Sequence, residues 1–197
     1  MQFLGELLYN KKMDIQSLKN KEIDNVLKWI QQEKTSIYDN VFQCQTRDVF
    51  KAKLDNFYVE TKDSLLIAVA GEIGNNSFDH NLGSWLDVVG LLFKVLSAEK
   101  IVILADRGQG IRATLSRIVP EIKSDKEALE IAFTRVISGR SPERRGNGLK
   151  FVSSAMQNNG FSLWFQSGTG AVSISNKEIK FFENSFNIKG CIAIIKY

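Results

Sequence analysis

Glu72-Ile-Gly-Asn-Asn76-Ser-Phe-Asp-His80 brings a carboxylate, an amide and an imidazole into helical register. On a helix, positions i, i+4 and i+7 or i+8 lie along one face, so Glu72, Asn76, Asp79 and His80 can look into one cleft. Magnesium takes hard oxygen ligands and completes its octahedron with phosphate oxygens and water, so a single side-chain carbonyl such as that of Asn76 suffices. Glu72, one turn earlier, is placed to orient and deprotonate an attacking water or hydroxyl. The spacing alone also fits a polar face turned to solvent.

Two glycine motifs follow. The strand-like run Ile101 to Ala105 opens into Asp106-Arg-Gly-Gln-Gly-Ile111, with the carboxylate at the C-terminal end of a buried strand. Gly108 and Gly110 let the backbone approach a ligand closely, and Asp106 can accept a hydrogen bond from an exocyclic amine. Gly108-Gln-Gly110-Ile-Arg-Ala113 also has the form of a dinucleotide fingerprint. That motif needs a second parallel strand ending in an acid about 20 residues later, where this chain reads as helix. Further on, Arg144-Arg-Gly-Asn-Gly-Leu-Lys150 precedes an apolar helical start at Phe151 and Val152. The amides around Gly146 and Gly148 and the new helix N-terminus suit phosphates, with Arg144, Arg145 and Lys150 adding charge. No G-x-x-x-x-G-K-[ST] occurs, which removes a P-loop.

The elements that must position these residues follow from apolar spacing. Residues 14 to 34 carry Ile15, Leu18, Ile23, Val26, Leu27 and Ile30 at helical intervals, with a break near Asn20. Arg47 to Val59 repeats the pattern through Phe50, Leu54 and Phe57, and Thr61-Lys-Asp-Ser offers N-caps for the next helix. Its stripe Leu66, Ala70, Ile73, Ser77 marks the face turned to the core. Trp85 to Leu96 reads as a third helix, Ile101 to Ala105 as a buried strand, and Ser124 to Ile137 as helix again after Pro120. The stretch between Gly108 and Gly146 therefore reads as an excursion away from the sheet. Phe161 to Phe165, Val172 to Ser175, Ile179 to Phe182 and Cys191 to Lys196 read as antiparallel strands, with Ser167-Gly-Thr-Gly170 as a hairpin link.

A chain of 197 residues with 44% hydrophobic content suits one domain with an appendage. The longest apolar stretch, Trp85 to Leu96, is interrupted by Asp87 and Lys94 and is too short to span a bilayer. The first residues carry neither a basic region nor a small-residue cleavage site, so a cytoplasmic protein without membrane attachment is expected. Cys44 and Cys191 lack the count and spacing of a disulfide framework or zinc site, and His80 is the single histidine. The net charge of +4 concentrates in residues 106 to 150, which hold ten Lys/Arg against six Asp/Glu. No reader motif or basic stripe with exposed aromatics accompanies it, so an anionic ligand local to that segment is expected rather than nucleic acid.

The order, spacing and identity of the three motifs resemble the GHKL superfamily of gyrase, heat-shock protein 90, histidine kinases and MutL. The resemblance covers roughly residues 60 to 197. Glu72 to His80 resembles its N box, Asp106 to Ile111 its adenine-binding D-x-G-x-G box, and Gly146 to Leu149 the glycine-rich box that ends the ATP lid. It implies an α/β fold of Bergerat type, a two-layer sandwich with a mixed, mainly antiparallel sheet backed by helices, to which the apolar spacing of residues 1–59 adds an extra helical N-terminal segment. It further implies ATP and Mg2+ as ligands, with Asn76 on the metal, Glu72 as base and Asp106 on the adenine amine. Gly108 and Gly110 would shape the base pocket, residues 107–145 would form the lid, and Gly146 and Gly148 would close on the phosphates beside Arg145, Leu149 and Lys150. Where the family ends on a Gly-Thr pair this chain reads Gly190-Cys191, and no phosphoacceptor histidine precedes His80. Glu-x-x-x-Asn-x-x-x-His is most similar to the stand-alone anti-sigma-type serine kinases, which implies action on or through a protein partner. A nucleotide-gated binding module without catalysis is the alternative, and the N-terminal helices suit either a homodimer surface or a core-completing layer.

Overall fold

The computed structural model describes residues 20–32, 38–135 and 148–197. Five strands, β1 (Gln43–Cys44), β2 (Leu91–Leu96), β3 (Ile101–Asp106), β4 (Ser162–Ser175) and β5 (Glu178–Lys196), form one sheet in the order β1-β2-β3-β5-β4. Every described pair is antiparallel. Helices α2 (Arg47–Thr61), α3 (Ser64–Asn81), α5 (Asp125–Thr134) and α6 (Gly148–Asn158) back one face, with the short α4 (Gly110–Leu115) beside them. This is the helix-backed α/β sandwich expected.

Strand alternation divides the core in two. Val102 and Leu104 of β3 join Phe93, Leu163, Phe165, Ala193 and Ile195 beneath α2, α3, α5 and α6. Ile101, Ile103 and Ala105 face the other way, where α1 (Lys21–Gln31) buries Ile23, Val26, Leu27, Trp29 and Ile30 against Leu92, Trp164, Ile192 and Ile194. Asn20 caps α1 by accepting a hydrogen bond from the Glu22 amide at 2.8 Å. Lys94, pointing to this second face from β2, pairs with Glu22 of α1 and stands 4.1 Å from the Phe42 ring centroid. Ile15 and Leu18 lie outside the described residues.

Three readings are corrected. Trp85–Leu96 is not a helix: residues 91–96 are β2, entered at Gly90 with φ +95°. A strand buried on both faces is a continuous apolar run, which periodicity alone does not separate from a buried helix. Nor is Ser167–Gly170 a hairpin link. The β4–β5 turn falls at Asn176-Lys177, with φ 50° and 66°, where two positive-φ residues match the twist of a tight hairpin. At Ser167–Gly170 the pairing instead slips, and Asp125 at the start of α5 takes hydrogen bonds from the Thr169 amide at 3.0 Å and its hydroxyl at 3.2 Å. A Cβ on Gly170 would lie 2.5 Å from the Asp125 carbonyl carbon, so the glycines there admit a helix rather than turn a chain. Finally, residues 125–134 do not leave the sheet. Leu129, Ala132 and Phe133 are buried in the main core, and Ser124 caps α5 through the Glu127 amide. Of the span expected as lid, residues 110–115 and 125–134 are thus helices, those of 125–134 packed on the sheet.

Candidate functional site

A cavity of about 440 Å³, counted with its open mouth, lies between α3, α4 and the end of the sheet. Asp63 caps α3 by accepting from the Leu66 amide at 2.9 Å. That fixes the helical phase in which Ile73, Asn76, Ser77 and His80 reach the cavity wall, opposite Leu104, Asp106 and Ala193. The expected residues Asn76, His80, Asp106, Gly110, Ile111 and Leu149 all line it.

Asp106 is the chemical centre. It ends β3 on the helix-backed face and is 2% exposed. The Ser77 hydroxyl donates to its Oδ2 at 2.7 Å and the Gly108 amide to its Oδ1 at 2.8 Å. Burial pushes its carboxyl above the ordinary aspartate range, opposed by the hydrogen bonds from Ser77, Gly108 and the Cys191 backbone. A carboxylate has about four acceptor sites, so this one keeps acceptor capacity toward the cavity. The walls around it are apolar: Ile73, Leu91, Leu104, Ile111, Leu149, Phe165 and Ala193. A flat heteroaromatic ligand with an exocyclic amine suits that combination.

Backbone geometry closes the turn over Asp106. Gly110 stands at φ +79°, open to glycine and strained for other residues, and its conformation directs the Ile111 amide onto the Ser167 hydroxyl at 2.9 Å. Gly108 packs on Asn81, whose side-chain atoms would lie 2.2 Å from any Cβ there. Asn81 Oδ1 accepts from the Gln109 amide and Nδ2 donates to the Ser77 carbonyl, both at 2.8 Å.

Glu72 is exposed and Asn76 half-buried one turn on, toward the start of α6. A Cβ on Gly148 would lie 2.5 Å from Glu72 Oε2 and 3.6 Å from Asn76 Nδ2. The first and third motifs therefore meet there, with the Glu72 carboxylate lying against the Gly148 backbone. Among the described residues no group of three or more His, Cys, Asp or Glu comes together. A hard cation held by Asn76 would accordingly take its other ligands from phosphate and water, and the amide and carboxylate present suit magnesium in that role.

Asp79 and Lys150 stand outside the lining, and His80 stands at its edge. The Asp79 carboxylate pairs with Arg47 of α2, outside the cavity lining, where the guanidinium also lies 5.9 Å from the Phe78 ring centroid. His80 is exposed at the mouth; desolvation holds its ring below the usual imidazole range, opposed by Asp79 and reinforced by Arg117. Lys150 is half-buried in the first turn of α6 and is not a lining residue. Arg144, Arg145 and Gly146 lie outside the described residues.

Ser77, Asn81, Thr114 and Ser167 belong to the site without having been singled out for it, and Cys191, noted only as a departure from the Gly-Thr pair, joins them. Ser77 was readable as the one hydroxyl in the stripe Leu66, Ala70, Ile73, and Asn81 as its successor one turn later. Ser167 carries no local signal, and strand pairing brings Cys191 opposite Asp106. Burial and the nearby Asp106 push the Cys191 thiol well above the ordinary range, against a hydrogen bond from Ser167.

No family model matches the chain, and no curated protein matches it. Among solved structures it is similar to the 43K ATPase domain of Thermus thermophilus gyrase B in complex with an aminocoumarin, at 17% identity and a TM-score of 0.39 over 64% of this chain and 32% of that one. It is also similar to the ATPase region of Saccharomyces cerevisiae topoisomerase II bound to ICRF-187 (dexrazoxane), at 14% identity and a TM-score of 0.40 over 66% of this chain and 37% of that one. The chain spans only 32% and 37% of the length of these two structures. Among the described residues no helix is long and apolar enough to cross a membrane.

Proposed function

We propose that the chain binds MgATP in this cavity as a GHKL-type nucleotide domain and acts on or through a protein partner. The observation that carries the reading is Asp106: a buried carboxylate held by Ser77 and Gly108 at the end of a mostly apolar cavity. Burying it without a ligand is unfavourable, and an adenine amine supplies the missing donor while the ring fills the apolar space. Asn76 would hold the magnesium ion, which when bound neutralises phosphate charge. Glu72, exposed beside Gly148, takes the proton of an attacking hydroxyl or water.

Calorimetry with ATP and GTP, each with and without magnesium, tests the binding. ATP binding that strengthens with magnesium, with GTP much weaker, is expected; no binding of either sinks the proposal. For the chemistry, Glu72→Gln should leave ATP affinity within about twofold and lower γ-phosphate transfer or hydrolysis by about 10²-fold or more. Equal turnover in both proteins removes Glu72 from the role of base.

A further inference from the structure

We infer that Arg107 is a positioning residue for the nucleotide pocket, and that through it the docking of α1 on the far face of the sheet sets the pocket's affinity. The inference rests on the nucleotide reading of the cavity.

Successive residues of a strand point to opposite faces. Asp106 faces the cavity, and Arg107 therefore enters the second core, where it is fully buried at 0% exposure. Four of the five N–H donors of its guanidinium are taken up there. Nη1 donates to the Trp29 carbonyl at 2.7 Å and Nη2 to the Gln32 carbonyl at 2.6 Å. Nε and Nη2 grip the two oxygens of Asp87 at 3.0 and 2.7 Å. The two carbonyls belong to the C-terminal end of α1, where the helix dipole favours a cation. Trp29 adds its ring, with the guanidinium carbon 5.7 Å from its centroid. The Arg107 hydrogen bonds hold the Asp87 carboxyl well below the usual range, outweighing its desolvation.

A buried guanidinium that loses partners keeps its desolvation penalty without compensation, so α1, Asp87 and Arg107 hold together as a unit. The backbone that carries this unit also builds the pocket. Gly108, the next residue, donates to Asp106, and Gln109 donates to Asn81. Residues 106, 108 and 109 are thus held on the cavity side and residue 107 on the far side of the sheet, and a shift of the turn on one side is felt on the other. With α1 undocked, Arg107 loses both carbonyls and the indole, and the turn that sets Asp106 and Gly108 loses its rear support. By linkage, a ligand that tightens Asp106 and Gly108 tightens α1 by the same factor.

The test combines calorimetry with a non-hydrolysable MgATP analogue and hydrogen exchange of the α1 amides, in the full chain. In the parent, saturating analogue should slow exchange in residues 21–31 although they lie on the opposite face from the cavity. Arg107→Met should weaken analogue binding about tenfold or more and abolish that slowing, while β3 and β5 amides stay protected. Arg107→Lys, which keeps the charge without the planar fork, should recover part of both. If Arg107→Met does not fold, Asp87→Asn keeps the carbonyl bonds and should show a smaller loss of both effects. A folded Arg107→Met or Asp87→Asn protein that binds the analogue as tightly as the parent overturns the coupling, as does α1 exchange indifferent to the analogue in the parent. A parent that binds no nucleotide overturns the reading of the cavity itself, and the coupling falls with it.

Discussion

Asp106→Asn should separate stability from binding. At 2% exposure the carboxyl carries a folded-state pKa raised above its unfolded value, chiefly by burial. The folded protein therefore holds the Asp106 proton more tightly than the unfolded chain. The stability this confers is complete below the unfolded pKa and is lost as pH rises through the folded one. Above that raised pKa the ionised group opposes folding, and asparagine removes that opposition. The replacement also keeps the local bonds: its oxygen accepts from Gly108 in place of Oδ1, and its amide donates to Ser77, whose hydroxyl rotates to accept. The melting temperature should stay level or rise. Binding should move the other way. A hydrogen bond from an adenine amine to a charged acceptor is worth about 1.5–3 kcal/mol, so its loss should weaken ATP about 10- to 150-fold. Thermal melts of the apo proteins and calorimetric ATP titrations read the two effects independently. Unchanged affinity in a folded Asp106→Asn protein would refute the assignment, and a collapsed melting temperature would refute the account of burial.

The same carboxyl predicts opposite pH slopes. Adenosine, free of phosphate titration, should bind less well as pH falls through the raised Asp106 pKa, starting above the pH at which an ordinary aspartate protonates, while Asp106 itself contributes increasing apo stability; a binding midpoint at or below the ordinary aspartate value would contradict it. Ser77→Ala removes a buried donor to a charged acceptor and should cost about 1.5–3 kcal/mol of stability, read by urea denaturation, with a rise in the Asp106 pKa; an Asp106 titration unmoved in carboxyl NMR would count against the pairing. Trp29→Ala opens the second core under α1, where Trp29 is 3% exposed, and should cost about 3–5 kcal/mol by the same measurement; a loss below 1 kcal/mol would mean that α1 is not docked as described.

Much of the fold was legible because amphipathic helices and buried strands announce themselves locally. The stripe of α3, the run Ile101–Ala105 and the helix read from Ser124 all depend on neighbours within a few residues. The strand at Leu91–Leu96 was not legible, because both its faces are buried and its apolar run lacks alternation. Asp79 illustrates the same limit at the site. Helical spacing aligns it with Glu72, but Arg47 on a different helix takes its carboxylate.

The sequence by itself determined the chemical groups and their local order: Glu72 and Asn76 one turn apart, Asp106 ending a strand, and glycines where backbone must come close. Short-range sterics and helical geometry suffice for those. Only the tertiary structure decided which groups meet. Gly148 lies against Glu72, Cys191 lies opposite Asp106, and Ser77 turns from a core position into the carboxylate's partner. It also decided that Arg107, one residue past Asp106, serves the opposite face and fastens α1 there. Such pairings are set by how sheet and helices share one buried volume, which no window of neighbouring residues encodes.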